Sequence, residues 1–186
     1  MAERNSSKVE YNLTIADKYH NALDIEGFSY MMKDPSYCYK FYWLEAIVQL
    51  ISEGIQNTTF DTVINEMICN AWYSVREFHI HLSGLGPNGE VKDGLERAVL
   101  TLAELSDLPA NASKVQIRNA IRWHDAELYK AKEQLTHMVP YRAMAGFFAS
   151  AGMDNVPWNS TLKMAQTIST FNDEVMSLPY TIGNAS

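Results

Sequence analysis

From Asp34 to Gly54 the chain is almost unbroken in apolar and aromatic side chains, and it carries its own helix signals. Asp34 can cap a helix by accepting a backbone N–H. Pro35 suits the first helical position, where no donor is needed, and Gly54 suits the left-handed residue that ends many helices. Between them Glu45, Gln49, Ser52 and Glu53 form a polar strip, with Lys40 apart from it. A helix apolar nearly all round belongs either to a core or to a membrane. Lys40 and Glu45 interrupt the run, so no stretch reaches the ~18 uninterrupted apolar residues of a spanning helix. The pattern predicts a buried, aromatic-rich central helix and no membrane partner.

The next run has the clearest period. Phe60, Val63, Ile64, Met67, Ile68, Ala71, Trp72 and Val75 follow the i, i+3, i+4, i+7 template. Thr59 is the expected cap, and Asp61, Asn65, Glu66 and Arg76 fall on the opposite face. The helix is expected to end near Tyr73-Ser74 or to reach Leu82, before the loop Ser83–Gly89. Asp93 caps an expected helix with Leu95, Val99, Leu102 and Leu105 inward. Ser113 caps another, running to about residue 138 with a bend near Trp123 and stopped by Pro140. Tyr141 to Phe148 reads as a short buried helix. A last helix after Asn159 or Ser160 turns Leu162, Ala165, Ile168 and Phe171 inward. Upstream, Gly27 interrupts the mixed apolar run of 11–33, which reads as one short helix and a loop leading into the central helix. No run alternates with period two. The expected fold is all-α, an irregular multi-helix bundle of about six to eight helices around the central one. The expected organisation is a polar segment and short helix over 1–33, a core helical domain over 34–150, and a loop, helix and extended tail over 151–186.

A chain of 186 residues fits one domain. The net charge of −7 opposes nonspecific binding of nucleic acid by the whole surface. The first ninety residues hold twice as many acidic as basic residues and the remainder is nearly balanced, so polyanion contact is expected only in the second half. There Lys114, Arg118 and Arg122 recur at i, i+4, i+8, a stripe about 12 Å long at ~1.5 Å per residue. Lys130 and Lys132 extend the positive region, although Asp125 and Glu127 interrupt it. Such a stripe can follow a phosphate backbone or form a solvated helix face. The aromatic run Tyr37-Tyr39-Phe41-Tyr42-Trp43 points in all helical directions, which favours packing over base stacking. His79-Ile80-His81 shares a face on a strand and diverges on a helix, so it is a metal pair in one geometry and a helix-end feature in the other. Cys38 and Cys69 sit among apolar neighbours, with no CxxC pair or Cys/His cluster. There is no phosphate-binding glycine loop, nucleophile elbow, HExxH or EF-hand loop. No cofactor is expected. The polar N-terminus carries no secretory pattern, and the expected setting is a reducing cytoplasm.

Several short segments carry a further signal. They are Ser36–Leu44, Thr59-Phe60-Asp61 with Glu66-Met67-Ile68 and Ala71-Trp72-Tyr73, and His79-Ile80-His81-Leu82. Leu102–Ser113 and Leu135–Arg142 with Phe147-Phe148 complete the set. In this order they resemble the N-terminal helical region of a group of bacterial HNH-endonuclease-domain proteins, over roughly residues 35–150. In that family the nuclease motif, a ββα-metal unit often accompanied by zinc-holding CxxC pairs, lies further toward the C-terminus. None of it occurs in this sequence, so the resemblance supplies no catalytic residue. It implies a non-catalytic recognition or assembly module with a nuclease domain or other protein as partner, and the charge stripe makes Lys114, Arg118 and Arg122 the candidates for nucleic-acid contact. A protein-interaction module with no nucleic-acid role and a metal enzyme built on His79 and His81 are the competing readings.

Overall fold

The computed structural model describes residues 25–33, 38–55 and 57–150, with 152–153, 156–157, 159–160 and 162–167 beyond them. The fold is all-α, a multi-helix bundle. Among the described residues its helices are α1 (Ile25–Lys33), α2 (Tyr39–Ser52), α3 (Phe60–Arg76), α4 (Gly94–Ser106), α5 (Lys114–Trp123), α6 (Asp125–Arg142) and α7 (Ala145–Ser150). Residues 162–167 are also helical. No described helix is long and apolar enough to cross a membrane.

Helix α3 packs against α2, α4, α5 and α6. Every residue of its predicted apolar set is buried except Phe60, which is partly buried against the same core. Thr59 caps it as expected, its hydroxyl accepting from the Thr62 N–H at 3.2 Å, and it ends at Arg76. Helix α2 buries Tyr39, Trp43, Ala46 and Leu50 against this core. Its other side is wetter than its composition suggests, since Val48 and Ile51 are 57% and 61% exposed. The proposed cap at Asp34-Pro35 lies outside the described residues. Gly54 behaves as expected. Its φ is +83°, and the Gly54 N–H to Ile51 and Ile55 N–H to Leu50 bonds, both 2.9 Å, close the double bond of a glycine-terminated helix.

Asp93 caps α4, accepting from the Leu95 and Glu96 N–H groups at 2.8 and 3.0 Å. Leu105, expected inward, is exposed. Ser113 and Gln116 form a reciprocal capping box on α5. The single long helix expected from here is two helices, broken at His124 (φ −108°, ψ 26°). Pro140 does not stop α6, which runs two residues further. So close to the C-terminus, the hydrogen bond lost at Pro140 belongs to a last turn that is nearly over.

A second, smaller core joins Met31 of α1 with Tyr141, Met144, Phe147, Phe148 and Met164. In the 162–167 helix Ala165 packs against this core as expected, but Met164 is the buried residue and Leu162, expected inward, is exposed. Ile168 and Phe171 lie outside the described residues. Phe60 bridges the two cores, with ring centroids 5.9 Å from Trp43 and 6.3 Å from Tyr141. Gly27 does not interrupt α1 but sits inside it, buried, where α7 crosses. A Cβ on Gly146 would come within 2.4 Å of the Met31 nitrogen and 2.5 Å of the Gly27 oxygen. Both obstacles are backbone, so only movement of a helix can relieve them. Gly146→Ala is therefore expected to destabilise the fold by about 1–3 kcal/mol. Hydrogen exchange should speed up over 25–33 while α3 stays protected, and unchanged exchange in α1 would refute this close packing.

Candidate functional site

The basic stripe on α5 is real, but two of its three cations are already engaged. Ile117 and Ile121 bury the inner face of the helix, which turns Lys114 and Arg118 toward α2 and α3. Glu66 of α3 was expected on the solvated face. It is 4% exposed. Arg118 Nε lies 2.5 Å from its Oε1 and Lys114 Nζ 3.0 Å from its Oε2. Lys114 also donates to Asn70 Oδ1 at 2.9 Å. The Arg118 fork continues to Glu53, at 2.9 and 3.1 Å from its two oxygens. The stripe is thus not a row of three free cations. Arg122 is exposed, and its side chain makes no ion pair or hydrogen bond among the described residues.

The electrostatics follow from this geometry. Burial pushes the Glu66 carboxyl upward, but the hydrogen bonds and charges of Arg118 and Lys114 outweigh it, and the net shift is downward. Glu53 is lowered chiefly by the Arg118 hydrogen bond and then by Gln49. Arg118 is raised in turn by Glu66 and Glu53. A carboxylate with a depressed folded pKa binds fewer protons in the fold than in the unfolded chain. Its stabilisation is complete above the ordinary range of about 4.3 and is lost as pH falls through the folded value. The wild type should therefore lose stability below about pH 4. Glu66→Gln should cost about 2–3 kcal/mol at pH 7, less than a fully buried pair because both cations are partly wet. It should also flatten that acid limb. Urea melts across pH check both, and an unchanged acid limb in Glu66→Gln would remove Glu66 from this role.

Other sequence candidates are used structurally as well. Lys132 does not extend a basic surface. It is buried, with Nζ 2.6 Å from Asp61 Oδ1 and 2.5 Å from Asp125 Oδ1. His79 and His81 lie in the exposed loop after α3, with His79 at φ +50°. His81 Nδ1 is 2.8 Å from Oε1 of the buried Glu96, whose Oε2 accepts the Leu82 N–H at 2.9 Å. The pair is thus neither strand-like nor at a helix end, and His81 instead ties the loop to α4. Among the described residues no three His, Cys, Asp or Glu side chains gather to hold a metal.

Neither cysteine is set up as a nucleophile. Burial pushes the Cys69 thiol up to about 12, helped by the charge of Glu66. Burial, then Asp93, raises that of Cys38. At pH 8 a thiol reagent should label the half-buried Cys38 slowly and Cys69 only after unfolding, as read by peptide mass spectrometry. Rapid native labelling of Cys69 would contradict this.

Beside the ion pairs runs a shallow groove that sequence reasoning missed. Leu50, Ile55 and Ile121 line it together with Asn65, Arg118 and Arg122. Its walls come from α2, α3 and α5, and no local sequence pattern announces that these helices meet. Exposed apolar side chains are scattered elsewhere. Tyr73 and Phe78 stack edge to face at 5.4 Å beyond the core, and Trp123 is 84% exposed. No protein-family profile, characterised protein or solved structure matches the chain.

Proposed function

We propose that the chain is a non-catalytic helical module for recognition or assembly, and that its partner is a protein. The observation that carries this reading is the pairing of Lys114 and Arg118 with Glu66 and Glu53. A phosphate backbone gains affinity by meeting cations whose counterions are small and mobile. Here the counterions are fixed carboxylates, one of them buried, so each phosphate contact would strand a negative charge in the fold. Exposed apolar groups support the same reading: Val48 and Ile51 on α2, the Tyr73–Phe78 pair and Trp123. Large aromatic side chains of this kind carry much of the energy at protein interfaces. The resemblance to the N-terminal region of HNH-endonuclease-domain proteins makes a nuclease domain, in the same or a separate chain, the partner proposed first.

Nucleic-acid contact through Lys114, Arg118 and Arg122 is the second reading. The exposed, unpaired Arg122 favours it. A titration of duplex and single-stranded DNA at 50 mM and 200 mM salt separates the two. The protein-partner reading expects binding weaker than about 10⁻⁴ M at the higher salt, the weak end of nonspecific association. It also expects no dependence on Arg122. Micromolar binding at 200 mM salt that drops at least tenfold in Arg122→Ala would overturn that reading in favour of nucleic acid. Cross-link mapping in the native cell provides the positive test, with cross-links to one protein expected on the surface around Tyr73, Phe78 or the groove beside Arg122.

A further inference from the structure

We infer that the outer face of α2 binds a second copy of this chain, with the two α2 helices side by side and parallel. The inference rests on the protein-partner reading above and assigns an occupant to one of its surfaces.

The first observation is that α2 has two apolar faces. Tyr39, Trp43, Ala46 and Leu50 turn into the larger core. Phe41, Leu44, Val48 and Ile51 form a second row, spaced three, four and three residues apart. At about 100° per residue the two rows are centred about 150° apart around the helix. The second row opens toward its C-terminal end. Phe41 and Leu44 are half-buried, Leu44 against the smaller core, whereas Val48 and Ile51 are exposed. Ile55, just past the helix, is exposed as well. A three-four spacing is the pattern by which two helices pack along their length. The bundle already holds α2 as a helix, so a partner meets a backbone that needs no further ordering.

The second observation is charge, and it selects both the partner and its direction. Lys40 and Glu45 flank the second row on opposite sides, five residues apart, too far round the helix to meet each other. Neither makes an ion pair among the described residues. Lys40 instead lies over the ring of Phe41, 5.7 Å from its centroid, beside the row. When two parallel helices pack through such a row, a flanking residue meets the one five positions later on the other helix. Lys40 of each copy then faces Glu45 of the other, which gives two ion pairs related by a two-fold axis. A face that complements itself in this way is what a two-fold dimer requires. Antiparallel packing over the same overlap sets Phe41 against Ile51 and Leu44 against Val48. It also sets Glu45 against Glu45 of the second copy, a like-charge contact that opposes this arrangement.

Size exclusion with light scattering, run on the full chain over a range of concentrations, tests the inference. The wild type should approach twice the 21.1 kDa of one chain as concentration rises. Val48→Asp should hold it at the single-chain mass. Val48 is exposed, so this variant should melt with the wild type by circular dichroism, which separates lost association from lost folding. Lys40→Glu and Glu45→Lys should each weaken the dimer about tenfold, because each sets like charges across the contact. An equal mixture of the two variants should restore it, since every Glu then faces a Lys. A wild type that is monomeric up to ~1 mM would overturn the inference, as would a dimer that survives Val48→Asp. A dimer indifferent to both charge variants, or a mixture no stronger than either alone, would overturn the parallel pairing. A monomer that still cross-links through α2 to one other protein in the cell would overturn self-association and leave the protein-partner reading standing.

Discussion

A buried carboxylate decides how this bundle is put together. Glu66 sits on the helix that most of the others touch, at a point where α2 and α5 approach from different sides. Left alone it would have to be neutralised or hydrated, since an unpaired charge in a protein interior costs several kcal/mol. Lys114 and Arg118 provide the compensation from α5, and Arg118 carries the connection on to Glu53 at the end of α2. Apolar packing alone would allow α5 to slide or rotate against its neighbours, because only Ile117 and Ile121 are buried along it. The directional hydrogen bonds remove that freedom. In this respect the ion pairs contribute to the register of α5 more than to gross stability.

The same network explains why the apolar parts of the fold were readable in the sequence and the polar parts were not. Periodicity sees one helix at a time. It found the inner face of α3 from Val63 to Val75, and the caps Thr59, Asp93 and Ser113, because each of these depends on residues within a few positions. Glu66 falls on the polar side of the same helix by that rule. Its burial depends on residues 48 and 52 positions away in sequence, and nothing local records that distance. Lys132 was misread for the same reason, since one of its two carboxylates comes from α3. The α5 stripe was legible as a pattern of charge, while its counterions were not. Gly27 and Pro140 show the other limit. Each is a local helix breaker by propensity, and each is accommodated by its setting, Gly27 by the close crossing of α7 and Pro140 by its place at a helix end.

The two hydrophobic cores have different consequences for mobility. The larger one draws on α2 to α6, the elements that also carry the Glu66 ion pairs. The smaller one holds α1, α7 and the 162–167 helix, and the bridge described above runs through Phe60 and Tyr141. Regions with fewer buried contacts open at lower free energy than the main core. The α1–α7 pair is therefore the part of the described fold that can shift without dismantling α3. The basic face of α5 lies on the other, more rigid unit.

That placement bears on recognition. A side chain binds well when its backbone is already fixed, because less freedom is lost on contact. Arg122 stands on a helix held at its start by the Ser113–Gln116 capping box, along its length by Ile117 and Ile121, and across its outer side by Arg118. Lys114 and Arg118, paired with carboxylates, thus serve the cation that is left unpaired among the described residues. They anchor the helix beneath it and neutralise Glu66 and Glu53, so that Arg122 presents its charge from a fixed position. A stripe that looked uniform in the sequence divides into two cations held in ion pairs and one exposed to solvent, and the buried Glu66 is what separates them.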